Sequence, residues 1–108
     1  YDKINGLMRG CHSDFTDLQS RELCTLLVCV GDGYAISTDE ELRFLIEAAQ
    51  STGVVLDPVY SGKAARGMMM DLRARPVARA LFVHTGGLFG NFAKESQLDR
   101  VLNSLGEG

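Results

Sequence analysis

At 108 residues, 45% of them hydrophobic and with a formal net charge of −3, the chain has room for one domain and an ordinary globular composition. The slightly acidic balance excludes a dedicated nucleic-acid binder, because no basic cluster supplies counterion release from phosphates. No apolar run approaches the roughly 18 to 20 residues that span a bilayer, so no membrane role is expected.

The chain opens at Tyr1 without a Met or a secretory signal, and that start reads as a cut inside a larger protein. Cys11, Cys24 and Cys29 are odd in number and irregularly spaced. They form no disulfide framework and point to a reducing, intracellular setting, cytoplasmic or in an organelle. Cys24 and Cys29 read most simply as small buried hydrophobes.

In chain order, Ile4, Leu7 and Met8 recur at helical spacing between Tyr1 and Arg9, closed by Gly10. Cys11 to Arg21 is a polar connection with at most one irregular turn. Leu23 to Val30 is apolar and reads as a strand buried on both faces, ended by Gly31-Asp32-Gly33. Ser37 to Thr52 is the clearest helix. Ser37 or Thr38 caps it, Glu40 or Glu41 follows three residues on, and Leu42, Leu45, Ile46 and Ala49 form its apolar face. Gly53 stops it and Val54 to Leu56 is a short strand. Lys63 to Arg75 is the next helix, with Pro76 beyond its end; its Met68-Met69-Met70 run reads as gap-filling core rather than a metal or cofactor box. Arg79 to His84 is a third strand, and Phe89 to Ala93 and Gln97 to Leu105 are short helices. The alternation predicts an α/β fold with a mostly parallel sheet and flanking helices. Three strands would leave open edges, so residues 1–108 are expected to be one portion of a larger sheet.

The common chemical motifs are missing: no Walker loop, dinucleotide fingerprint, paired CxxC or metal-type His spacing. His12 and His84 stand alone, and a lone His at a strand end is more often a hydrogen-bonding residue than a ligand. What remains is hydroxyls at the expected strand ends: Tyr34, Tyr60, Ser61 and Thr85. In a parallel sheet those ends point one way and the side chains converge, where α/β proteins bind ligands. The plainer alternative is that Tyr60 and Thr85 satisfy loop backbone groups.

Leu56-Asp57-Pro58-Val59-Tyr60-Ser61-Gly62-Lys63-Ala64, followed by Leu81-Phe82-Val83-His84-Thr85-Gly86-Gly87, resembles the D-cysteine desulfhydrase and 1-aminocyclopropane-1-carboxylate deaminase family of pyridoxal-phosphate enzymes. This family lies in the tryptophan-synthase-β-like, fold type II group. The resemblance runs from about residue 23 to 93 and corresponds to the C-terminal third of a member. It implies pyridoxal 5'-phosphate as cofactor, a small amino acid as substrate and a homodimer. Tyr34 and Tyr60 match the tyrosines that border the substrate and assist proton transfer. Ser61, Thr85 and Gly86 match the cofactor-binding positions, Ser61 standing where the deaminases carry a glutamate. The Schiff-base lysine and the phosphate loop lie in the missing N-terminal part, so the isolated chain is expected to be inactive. Lys63 matches a lysine of the motif that is not the cofactor lysine and reads as a helix-start or structural charge. A hydroxyl in place of the glutamate leaves the cofactor's ring nitrogen neutral, which suits α,β-elimination from D-cysteine over cyclopropane opening. The alternatives are a 1-aminocyclopropane-1-carboxylate deaminase, a catalytically inactive ligand-binding relative, and a standalone small α/β domain of unrelated function.

Overall fold

The computed structural model describes residues 1–106. Five α-helices carry the chain: α1 Asp2–Cys11, α2 Ser20–Leu23, α3 Asp39–Thr52, α4 Ser61–Ala74 and α5 Glu95–Gly106. Short 3₁₀ segments cover Ser13–Phe15 and Leu88–Lys94.

The helix boundaries follow local chemistry. Thr38 caps α3 through a capping box: its Oγ1 accepts from the Glu41 N–H at 3.2 Å, and its own N–H donates to Glu41 Oε2 at 2.9 Å. Asp39, Glu40 and Glu41 occupy the positive end of the helix dipole. Gly53 closes α3. α4 starts two residues before the expected Lys63, because Asp57 serves the first amides. α1 runs through Gly10 to Cys11 rather than stopping there. The segment expected to be a polar connection holds one 3₁₀ turn and α2, which ends at Leu23.

The core is small. Leu42 and Leu45 of α3, Leu56, Ala65 of α4 and Val101 of α5 are buried, with Phe44, Ile46, Ala48, Phe82 and Leu98 packed around them. α3 is the hub, touching both α4 and α5. Arg66 and Arg100 tie those helices to the start of α3 through Glu40 and Asp39.

The expected α/β fold with a parallel sheet is overturned. Among the described residues there is no strand, and the chain is mostly helical. Residues 24–30, 54–56 and 79–84 lack helical structure, as their composition suggested, but they do not pair. A strand is stable only when a neighbour takes its backbone donors and acceptors, and no ladder joins these segments. Side chains bridge some of the gaps instead: His84 Nε2 reaches Val55 O at 2.9 Å, and Asn91 Nδ2 donates to Leu56 O at 3.0 Å. Val28 is 94% exposed and Leu81 88%, far from the two-sided burial expected. The Met run is likewise only partly core, with Met69 and Met70 exposed. The radius of gyration is 17.0 Å, against roughly 13 Å for a closed domain of this size. Among the described residues, no helix is long and apolar enough to cross a membrane.

Candidate functional site

The turn from Asp57 to Ser61 is built around one carboxylate. Asp57 is 1% exposed. Its Oδ1 accepts from the N–H groups of Val59 at 2.9 Å and Tyr60 at 2.8 Å. Its Oδ2 accepts from the Ser61 N–H at 2.8 Å and the Ser61 hydroxyl at 2.5 Å. Burial alone would push this carboxyl up. The hydrogen bonds from the Ser61 hydroxyl and from the amides of Tyr60, Ser61 and Val59 outweigh it and hold Asp57 below the usual carboxylate range. The carboxylate therefore caps the start of α4 and fixes the direction of Tyr60.

Tyr60 projects from this turn to meet Tyr34, which comes from the turn before α3. Their hydroxyl oxygens are 3.0 Å apart, with Tyr60 donating, and their rings are tilted at 59°. The bond to Tyr34, the charge interaction with it, burial and Asp57 all raise the Tyr60 phenol above its ordinary range, so Tyr60 keeps its proton at neutral pH. The pair is accordingly two phenols in series, able to pass a proton outward through Tyr34.

A cavity of about 410 Å³ adjoins the pair, between Cys29 and Val30 on one side and Phe82 and Val83 on the other. Tyr34, Tyr60, Ser61 and Thr85 all line it. Four of the five site residues expected from the sequence thus come together without a sheet to align them. Gly86 is not in the lining, and its N–H donates to Nδ1 of His84 at 3.0 Å. That bond leaves Nε2 of His84 as the donor to Val55 O, so His84 clamps two loops.

The hydroxyls differ in what they can still offer. Ser61 gives its single proton to Asp57 and accepts from the Asp57 N–H at 2.8 Å. Thr85, unlike the buried Ser61, is exposed, has no hydrogen-bond partner among the described residues and keeps a proton to donate. Gly87 brings the Thr85 loop against the turn: at φ 91°, a Cβ there would lie 2.7 Å from Asp57 Oδ2. Asp57 and Gly87 therefore matter as supports, although the sequence reading assigned neither a role. No group of three or more metal-ligating side chains occurs among the described residues.

The chain is 41% identical, over 96% of its length, to the bifunctional D-cysteine desulfhydrase/1-aminocyclopropane-1-carboxylate deaminase, mitochondrial, of Arabidopsis thaliana, and covers 26% of that protein. It is 47% identical over 63% of its length to a putative 1-aminocyclopropane-1-carboxylate deaminase of Thermotoga maritima, covering 22% of it. It is 41% identical over 60% of its length to the D-cysteine desulfhydrase of Serratia proteamaculans, covering 21% of it. The resemblance read from the motifs is matched by these relatives at 41 to 47% identity. The chain spans about a quarter of the length of these family members or less. No protein-family model matches it, and no solved structure does.

Proposed function

We propose that the chain is the C-terminal portion of the cofactor-binding domain of a pyridoxal-phosphate-dependent lyase. Its reaction would be α,β-elimination on a small amino acid such as D-cysteine, giving pyruvate, ammonia and sulfide. The observation that carries this reading is the Tyr34–Tyr60 pair at the mouth of a cavity that also receives Thr85 and Ser61. The fit to the cofactor is partial and specific. The cavity is of ligand size, and Thr85 holds a free donor suited to a ring nitrogen. Among the described residues, Lys63 alone of the lysines lines the cavity, and its protons are committed elsewhere, so the covalent attachment and the phosphate cradle would come from other residues of the protein.

Bound pyridoxal phosphate would supply the electron sink for carbanion chemistry. Thr85 would donate to its ring nitrogen, with Ser61 beside it as an oxygen whose proton stays on the Asp57 side. No carboxylate lines the cavity among the described residues, which favours elimination of a good leaving group. Tyr34 would hold or deliver a proton at its Oη, and Tyr60 would support it as hydrogen-bond donor. The location is taken to be cytoplasmic or an organelle, and the assembly a homodimer.

The test uses the full-length protein with D-cysteine and with 1-aminocyclopropane-1-carboxylate. Sulfide release should exceed ammonia release from the cyclopropane substrate, and a visible absorption band should be bleached by borohydride. A protein that shows neither band nor turnover after excess cofactor would be an inactive relative. Preference for the cyclopropane substrate would move the reading to the deaminase.

A further inference from the structure

The turn that carries Tyr34 is wrapped around a buried ammonium. Lys63 Nζ donates to Val30 O at 2.5 Å, Gly33 O at 2.9 Å and Ile36 O at 2.6 Å. An ammonium has three donors, and all three are used. The Lys63 side chain is 6% exposed, and the Glu41 carboxylate lies 3.8 Å from Nζ and offsets its charge. A second lysine acts on the same turn: Lys94 Nζ donates to Ala35 O at 2.7 Å. The carbonyls of Gly33 and Ala35, on either side of Tyr34, are therefore both held by lysines from other elements.

The turn needs such holding. Ala35 has φ 56°, in the left-handed region that non-glycine residues rarely adopt. Strain of that kind persists only where the surroundings impose it. At Gly31, φ 64°, a Cβ would run into Glu41 Oε1, so the turn closes tightly on the Lys63–Glu41 pair.

Building on the reading in which the tyrosine pair handles the proton, we propose that Lys63 and Lys94 are positioning residues that hold Tyr34 against Tyr60 and toward the cavity. Neither lysine passes a proton. Lys63 acts through the Gly33 carbonyl, which is bonded directly to Tyr34 N, and Lys94 through the Ala35 carbonyl at the far end of the next residue.

The test is a mutant cycle in the full-length, cofactor-loaded protein, with rates normalised to bound cofactor. Lys63→Met should lower kcat about a hundredfold and Lys94→Met about tenfold, the scale expected for a misplaced catalytic group. KM should change little. On a Tyr34→Phe background each penalty should shrink to less than about twofold, because the lysines then have no hydroxyl to place. Penalties that persist in full on that background would overturn the proposal, since a general loss of folding acts alike in both. Lys63→Arg should not rescue, because a planar guanidinium cannot aim donors at three converging carbonyls. Rescue to the parent rate would count against the proposal. A second readout needs no activity. Under reductive methylation of the unmodified protein, Lys63 should react at least about tenfold more slowly than the exposed Lys3, and equal rates would also overturn it. Absence of turnover in the unmodified protein would instead sink the functional reading, leaving methylation to judge the clamp.

Discussion

The two tyrosines meet, but the turns that carry them are built in different ways. Tyr60 sits in a turn that supplies its own organiser: every partner of the Asp57 carboxylate lies within four residues of it. Tyr34 sits in a turn whose own side chains cap nothing within it. Apart from one long local bond, the Ile36 N–H to Gly33 O at 3.3 Å, it is held by Lys63 and Lys94, which are 27 to 59 residues from the carbonyls they hold. A functional group can thus be aimed by local hydrogen bonds or by charges imported from distant elements. The first kind of turn has its organiser in its own sequence, whereas the second depends on the fold.

The contrast is broken most severely at Asp57. Asp57→Ala would leave three amides and a serine hydroxyl without their acceptor in a buried place, costing about 3 to 5 kcal/mol in stability. Chemical denaturation of the full-length protein measures it. Lys94→Met removes one partly buried bond and should cost only about 1 kcal/mol. Equal losses from the two would erase the distinction between a self-organised and a held turn. The same carboxylate sets a pH dependence. Its folded value lies below the ordinary carboxylate range, so its stabilisation is complete above the unfolded carboxylate range and is lost as pH falls through the folded value. Unfolding measured from pH 5 down to about 2 should therefore show an acid limb that Asp57→Asn flattens. An unchanged limb in that variant would mean that other carboxylates carry it.

The next effect isolates how the Thr85 loop leans on the Tyr60 turn. Gly86 and Gly87 both have positive φ, 100° and 91°. A Cβ on Gly86 meets nothing within 4 Å, whereas one on Gly87 would lie 2.7 Å from Asp57 Oδ2 and 2.9 Å from its Cγ. Both substitutions to Ala carry backbone strain of about 1 kcal/mol or more. Gly87→Ala should add about 1 to 3 kcal/mol for the clash. Thermal unfolding of the two variants gives the difference, and equal midpoints would show that the loop yields without loss.

This division explains what the sequence disclosed. The capping box of α3, the stop at Gly53 and the end of α4 before Pro76 all rest on neighbours within four residues, so their signals are local. Tyr34, Tyr60, Ser61 and Thr85 stand out in the sequence as hydroxyls at expected strand ends, and they line one cavity although no strand forms among the described residues. The expected sheet does not form, because apolar, β-branched composition in residues 24–30 and 79–84 reports a preference for extended backbone, not the presence of a partner. Lys94 carried no signal at all: its target, Ala35 O, is a backbone atom that any residue possesses. In the sequence Lys63 reads as a structural charge, and only the fold reveals which carbonyls it gathers.

The smallest effect tests whether the two kinds of order are connected. Glu41 serves α3 with Oε2, in the capping box with Thr38, and faces Lys63 with Oε1. Thr38→Ala should cost about 1 kcal/mol, the usual worth of an N-cap. It leaves the Lys63 bonds to Val30, Gly33 and Ile36 untouched, so turnover should fall by less than about threefold. A much larger fall in kcat at unchanged stability would mean that the capping box anchors Glu41 for Lys63. The Tyr34 turn would then depend on a local helix signal after all, one step removed through the salt bridge.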